Sequence, residues 1–236
     1  MENENSAAQP RTLGRKTLSV LLRVGVSLLA LYFIAGVIWR YSGSNKWEFV
    51  GEKNGVKVYS LKQPGADLKQ MKGVLRVRST LAGLVKLMLD PAFSNKMGLK
   101  ETQILERVND QLVYSYFKAP LPFPFQTREF VVRTQSYQNP RTKEVLMEVA
   151  AAPDRLPSNS CCFRVTEMNN TIRFTPLENG QVEIEYTQNV NEGGFLPDLL
   201  LNTMRPRVMF YGLPKLQGFL DKKEYQDAKS DFITEK

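Results

Sequence analysis

The chain has 236 residues, 42% of them apolar, and a formal net charge of +8. It holds no histidine, which excludes His-based triads, histidine metal ligands and the usual general base near neutral pH. Its two cysteines, Cys161 and Cys162, are adjacent, so they cannot staple distant segments together.

Residues 1–17 are polar and read as a disordered tail. From Leu18 to Trp39 the chain is apolar, with Arg23 its one charge, one turn inside the N-terminal edge. A helix needs roughly 20 apolar residues to cross hydrocarbon, and Arg23 can snorkel to the headgroups. Residues 18–40 are therefore expected to form a transmembrane anchor. The competing reading is a cleaved secretory signal, for which Ser42 and Ser44 offer a small-x-small pair. Arg11, Arg15, Lys16 and Arg23 precede the span, and Arg40, Lys46 and Lys53 follow it. This slight bias predicts an inside N-terminus and an extracytoplasmic domain, periplasmic in a Gram-negative source. The basic flanks suit anionic headgroups. No dense basic stripe with interleaved aromatics supports nucleic-acid binding.

After a linker at residues 41–46, one domain is expected over 47–224. Alternation around Val56 and Val58 and from Met71 to Ser79 predicts two paired strands. Leu81, Leu84, Val85, Met88 and Leu89 recur at helical spacing, with Thr80 as the cap and Asp90-Pro91 as the stop. A short helix is expected from Pro91 to Met97. Strands follow over residues 101–108, 111–118, 128–134, 143–150, 161–167, 171–175 and 181–190, with Asn109-Asp110, Asn139-Pro140, Asn169-Asn170 and Asn179-Gly180 as turns. Cys161 and Cys162, on a strand, would face opposite ways and stay reduced, a strained vicinal disulfide being the alternative. Gly193-Gly194 breaks the last strand and Pro197 opens a long C-terminal helix, which Pro206 and Pro214 should kink or break. Leu200, Met204, Val208 and Tyr211 read as part of its apolar stripe. Residues 225–236 read as a polar, fraying tail. Strands segregated from helices give an α+β class: a curved antiparallel sheet of about nine strands gripping one long helix.

Three segments resemble the START (steroidogenic acute regulatory protein-related lipid-transfer) family: WEFVGEKNGVKVYS from Trp47, FKAPLPFPFQTREFVVRT from Phe117 and GGFLPDLLLNTMRPRVMFYGLPKLQGFL from Gly193. The resemblance implies a helix-grip fold with a cavity between sheet and C-terminal helix for one phospholipid, sterol or fatty-acid-like molecule, and no bond-making chemistry or cofactor. It implies a buried Arg128 paired with Glu101, and a mobile lid containing Leu121, Phe123 and Phe125. The expected cavity lining is Glu101, Arg128, Tyr114, Tyr116, Phe130, Tyr186, Leu200, Thr203, Met204 and Tyr211. Many members are soluble shuttles; this chain reads as tethered. The alternatives are a helix-grip enzyme, using Glu101, Arg128 or Tyr114 as acid or base, and a tethered scaffold whose interior is filled. No metal-ligand cluster or nucleophile motif favours the enzyme.

Overall fold

A computed structural model describes residues 14–236; of the tail expected over residues 1–17, residues 1–13 lie outside the described residues and 15–17 belong to a helix. The apolar run folds as α1 (Arg15–Tyr41), 27 residues and so about 40 Å long at about 1.5 Å per residue. It is the one helix among the described residues long and apolar enough to cross a membrane, either as a single-pass anchor or as a signal sequence. Its side chains from Thr17 to Tyr41 are exposed.

The domain begins with β1 (Trp47–Lys53), β2 (Val56–Leu61) and β3 (Gln70–Arg78), then α2 (Leu81–Met88) and α3 (Pro91–Lys96). Next come β4 (Lys100–Arg107), β5 (Leu112–Ala119), β6 (Arg128–Gln138), β7 (Val145–Ala151), β8 (Phe163–Arg164), β9 (Glu167–Pro176), β10 (Gln181–Gln188) and β11 (Val190–Asn191). The chain closes with α4 (Asp198–Gly212), α5 (Lys215–Leu220) and α6 (Lys223–Gln226). The eleven strands form one sheet in the order β1-β2-β3-β10-β9-β7-β6-β5-β4, with β8 beside β6 and β11 beside β9. Every pairing is antiparallel except β6 with β8.

Register sorts the residues onto two faces. Val58, Gly73, Tyr186, Ile172, Met147 and Ser136 form one continuous row across six strands. Alternate side chains leave a strand on opposite sides, and this row faces the helices. A Cβ on Gly73 would fall 2.5 Å from Leu213 Cδ1 and 3.3 Å from Met209 Sδ, so only glycine lets the C-terminal helices seat so closely. On this inner face a large apolar cluster joins Val58, Met71, Leu75, Met147, Phe174 and Ile184 to Leu84 and Leu87 of α2 and to Met209, Leu216 and Leu220.

Thr80 caps α2, its hydroxyl accepting from Gly83 N at 3.0 Å, and Asp90 caps α3. The structure departs from the sequence reading at several elements. β1 shows no clean alternation because most of its residues are exposed, so its strand character is silent in the sequence. Asn169-Asn170 is no turn but lies within β9; Asn170 accepts from Asn189 N and donates to the Tyr186 hydroxyl, so its amide is satisfied inside the sheet. Cys161 and Cys162 are not on a strand. They sit in the bend before β8, where Cys161 N donates to Asn159 Oδ1 and Cys162 N to Asn159 O. That curl lets the two sulfurs join as a disulfide rather than stay reduced. The helix continues through Pro206, and the break falls at Leu213-Pro214.

Nor does the C-terminal stretch fray. Tyr225 is buried and donates to Asp90, while Phe232 and Ile233 pack on the large cluster. The Glu235 carboxylate accepts from Leu81 N at 2.9 Å and Ala82 N at 3.0 Å, filling free donors at the positive end of α2. Glu235→Ala is expected to cost about 1 kcal/mol of stability, as loss of a helix cap does, read from the urea midpoint.

Candidate functional site

A second apolar cluster occupies the inner face near the start of β6. Phe130, Val132, Val165 and Val190 are buried there, with Phe117, Ala119, Val149 and Met168 against them. The Phe117 and Phe130 rings stack at 4.8 Å. Between this cluster and the large one runs a polar belt of Thr134, Ser136, Asn170 and Tyr186. Burial pushes the Tyr186 phenol up to about 12, with Arg205 pulling it down and Glu192 raising it, so it is a neutral hydroxyl at any physiological pH. Among the described residues, three buried side-chain atoms lack a hydrogen-bond partner: Thr102 Oγ1, Ser136 Oγ and Arg205 Nε. Leaving such a group unpaired costs about 1–3 kcal/mol; of the three, Ser136 Oγ lies in the belt.

Arg128 is buried on the same face but does not meet Glu101. Its Nε donates to Glu192 O at 2.9 Å, Nη1 to Gln126 O at 2.6 Å and Nη2 to Gly193 O at 2.6 Å. Its guanidinium lies 5.1 Å from the Phe163 ring centre. Gly193 and Gly194 pass beneath at φ of +59° and +65°; a Cβ on Gly193 would fall 2.4 Å from Phe163, and one on Gly194 would fall 3.0 Å from Arg128 Nη2. Arg128 thus joins the base of the 120–127 loop to the lead-in of α4. Glu101 instead lies on the edge strand β4, exposed, with its carboxylate 2.7 Å from Lys118 Nζ. The expected pair fails because one partner is consumed by main-chain carbonyls and the other is at the sheet edge.

Tyr114 and Tyr116 fall on the outer face, because Val113, Ser115 and Phe117 take the inner positions of β5. They belong to a polar layer under the 152–165 segment. Glu129, 1% exposed, accepts from Arg164 Nε at 2.9 Å, Asn159 N at 3.1 Å and Tyr116 Oη at 3.1 Å. Arg164 also donates to Pro153 O, Leu156 O and Pro157 O. Arg155 covers the Tyr114 ring at 4.1 Å and donates to its hydroxyl. Burial raises the Glu129 carboxyl, but the hydrogen bonds from Asn159, Arg164 and Tyr116 and the Arg164 charge overcome it and hold the group below its ordinary value.

The stripe of α4 expected to face the sheet is its exposed side: Leu200, Met204, Val208 and Tyr211 point outward, and so does Thr203, whose hydroxyl donates to Leu199 O. The residues turned to the sheet are Leu201, Arg205, Met209 and Leu213. Arg205, 4% exposed, donates to Lys69 O at 2.8 Å and Val190 O at 2.6 Å and pairs with Glu192. No sequence signal marked Arg205 or Glu129 as members of buried ion pairs, since an arginine in an amphipathic helix reads as surface or as facing headgroups, and Glu129 follows Arg128 on the opposite face. In the 120–127 loop, Leu121 and Phe125 are half-buried, and Phe123 is 97% exposed.

A curved antiparallel sheet whose inner face is gripped by a C-terminal helix defines a helix-grip domain. The START domain profile matches residues 40–224, and the chain belongs to that family. It is 24% identical over 185 residues to an uncharacterized protein of Pseudomonas aeruginosa, covering 78% of this chain and 89% of that one. Its fold is similar to that of the STAR-related lipid transfer protein from Xanthomonas axonopodis, with a TM-score of 0.69, 24% identity and 75% and 99% of the two chains covered. Human StAR-related lipid transfer protein 5 superposes with a TM-score of 0.62 at 17% identity, covering 87% and 97%.

Proposed function

We propose that this chain is a membrane-tethered lipid-transfer domain that holds one phospholipid, sterol or fatty-acid-like molecule between the inner sheet face and α4. Residues 18–40 anchor it, 41–46 join the anchor to the domain, and the domain stands on the extracytoplasmic side. The observation that carries this reading is the second apolar cluster, separate from the main core and bordered by the belt of Thr134, Ser136, Asn170 and Tyr186. A core serving only stability gains nothing from the orphaned Ser136 hydroxyl in that belt. A lipid tail leaving a bilayer is already dry, so the gain of about 0.8 kcal/mol per CH₂ on leaving water is largely cancelled. Such a protein needs a matched apolar surface and a lid, and opening sets the rate. Phe123 on the 120–127 loop is the proposed point of bilayer contact. Phe130 and Tyr186 are the proposed inner-face ligand contacts, and Arg128 acts by fixing the edge of the site.

The test is mass spectrometry of lipid retained by the full-length protein after detergent extraction and size exclusion. One lipid per chain is expected. Ala119→Trp, which adds bulk against Phe117 and Phe130, should weaken loading about tenfold, the equivalent of a modest overpacking penalty. Phe123→Asp should slow exchange with vesicles and leave the melting temperature unchanged. A wild-type chain that emerges lipid-free and cannot be loaded would end this reading.

A further inference from the structure

The exit of α1 is not a loose tether. Lys62, buried, directs its ammonium to the carbonyl oxygens of Arg40 at 3.1 Å and Ser42 at 3.3 Å, and to those of Gln63 and Ala66. It lies 5.2 Å from the Trp39 ring centre, and Gly65 N donates to Arg40 O at 2.8 Å. The single carbonyl of Asp67 accepts from Trp39 Nε1 and from Asn202 Nδ2, each at 3.1 Å. Asn202 Oδ1 accepts from Lys69 N, and Arg205 donates to Lys69 O. The 62–69 loop therefore ties the last turn of α1 to α4 with directed bonds. The α1 side chains from Thr17 to Ile38 are exposed.

Register places this clasp at one end of the sheet. Leu61 pairs with Gln70 to close the 62–69 loop, Met71 pairs with Gln188 just before β11, and Ala119 pairs with Arg128 to close the 120–127 loop. At the same end a cleft of about 700 Å³ opens among Arg40, Ala66, Asp67, Met168, Val190 and Asp198. The end also carries Phe123, 97% exposed, Phe195, 89%, and Leu199, 78%. Large side chains so exposed at the point where an apolar helix leaves the domain match hydrocarbon, not water. Trp39 beside Lys62 and Lys69 is the pairing found where a span meets headgroups.

We propose that the clasp holds this end of the domain flat on the bilayer that α1 itself spans, so that Phe123, Phe195 and Leu199 insert into that membrane and lipid is exchanged with it rather than across a gap. This rests on α1 being a span. Full-length protein is placed in vesicles of deuterated lipid, mixed with bystander vesicles of ordinary lipid, with a photoreactive phenylalanine analogue at position 195. Lipid adducts should be deuterated in at least about tenfold excess, because the tether raises the effective concentration of host lipid. Lys62→Met should cut the host adducts, and Trp39→Phe, which removes the indole donor and one ring but keeps an aromatic face, should do so more mildly without unfolding the domain. Release of the protein at alkaline pH would overturn the anchor and the orientation together. Retention with no lipid adducts, with equal labelling from both vesicles, or with adducts unchanged in both variants would overturn the orientation alone.

Discussion

Glu129→Ala is expected to lower the unfolding free energy by about 3–5 kcal/mol, the loss seen when one member of a buried ion pair is removed. The carboxylate is 1% exposed and the Arg164 side chain 9%, so the alanine variant leaves a guanidinium buried without its counter-charge. It also frees Asn159 N and Tyr116 Oη, so the segment carrying Cys161 and Cys162 keeps its main-chain pairing with β6 but loses its side-chain anchor there. Glu129→Gln keeps the acceptor oxygen and should cost less. The pH dependence has a definite sign. Because the folded carboxyl is held below its ordinary value, its stabilisation is full above the ordinary carboxylate range and fades as pH falls through the lowered value. Urea titrations at neutral pH and at pH about 3 should show the wild type losing more stability on acidification than Glu129→Gln.

Arg205→Ala is expected to be nearly as severe, at about 3–5 kcal/mol, and to loosen α4 besides. The side chain serves Lys69 O, Val190 O and Glu192 at once, joining the 62–69 loop, β11 and the helix lead-in to one guanidinium. Arg205→Lys should recover little, because an ammonium is a point charge and cannot span acceptors arrayed around a planar fork. Hydrogen exchange of α4 amides, read alongside the urea midpoint, separates the two effects. Faster exchange confined to residues 198–212 marks loosening of the helix, and uniform acceleration marks global loss.

Much of the fold was legible in the sequence. The strand expected over residues 181–190 matches β10, and Thr80 and Asp90-Pro91 marked the boundaries of α2 and α3. The site was less legible, for physical reasons. Periodicity in α4 finds an apolar stripe but not the side it faces; here the apolar stripe Leu200–Met204–Val208–Tyr211 is exposed and the buried line contains an arginine. On β5 both faces are covered, one by the main fold and one by the 152–165 segment, so Tyr114 and Tyr116 looked as much like inner residues as Val113 and Phe117. The docked C-terminus depends on Glu235 reaching Leu81, a contact between residues 154 positions apart that no local pattern encodes.

Arg128 binds Gln126 of the 120–127 loop on one side and Glu192 and Gly193 of the α4 lead-in on the other. The 120–127 loop and the lead-in of α4, which would border the proposed site, are thereby riveted together. They are expected to swing as one door, so lipid entry should follow a single first-order gating rate, and cutting the rivet should split it into two.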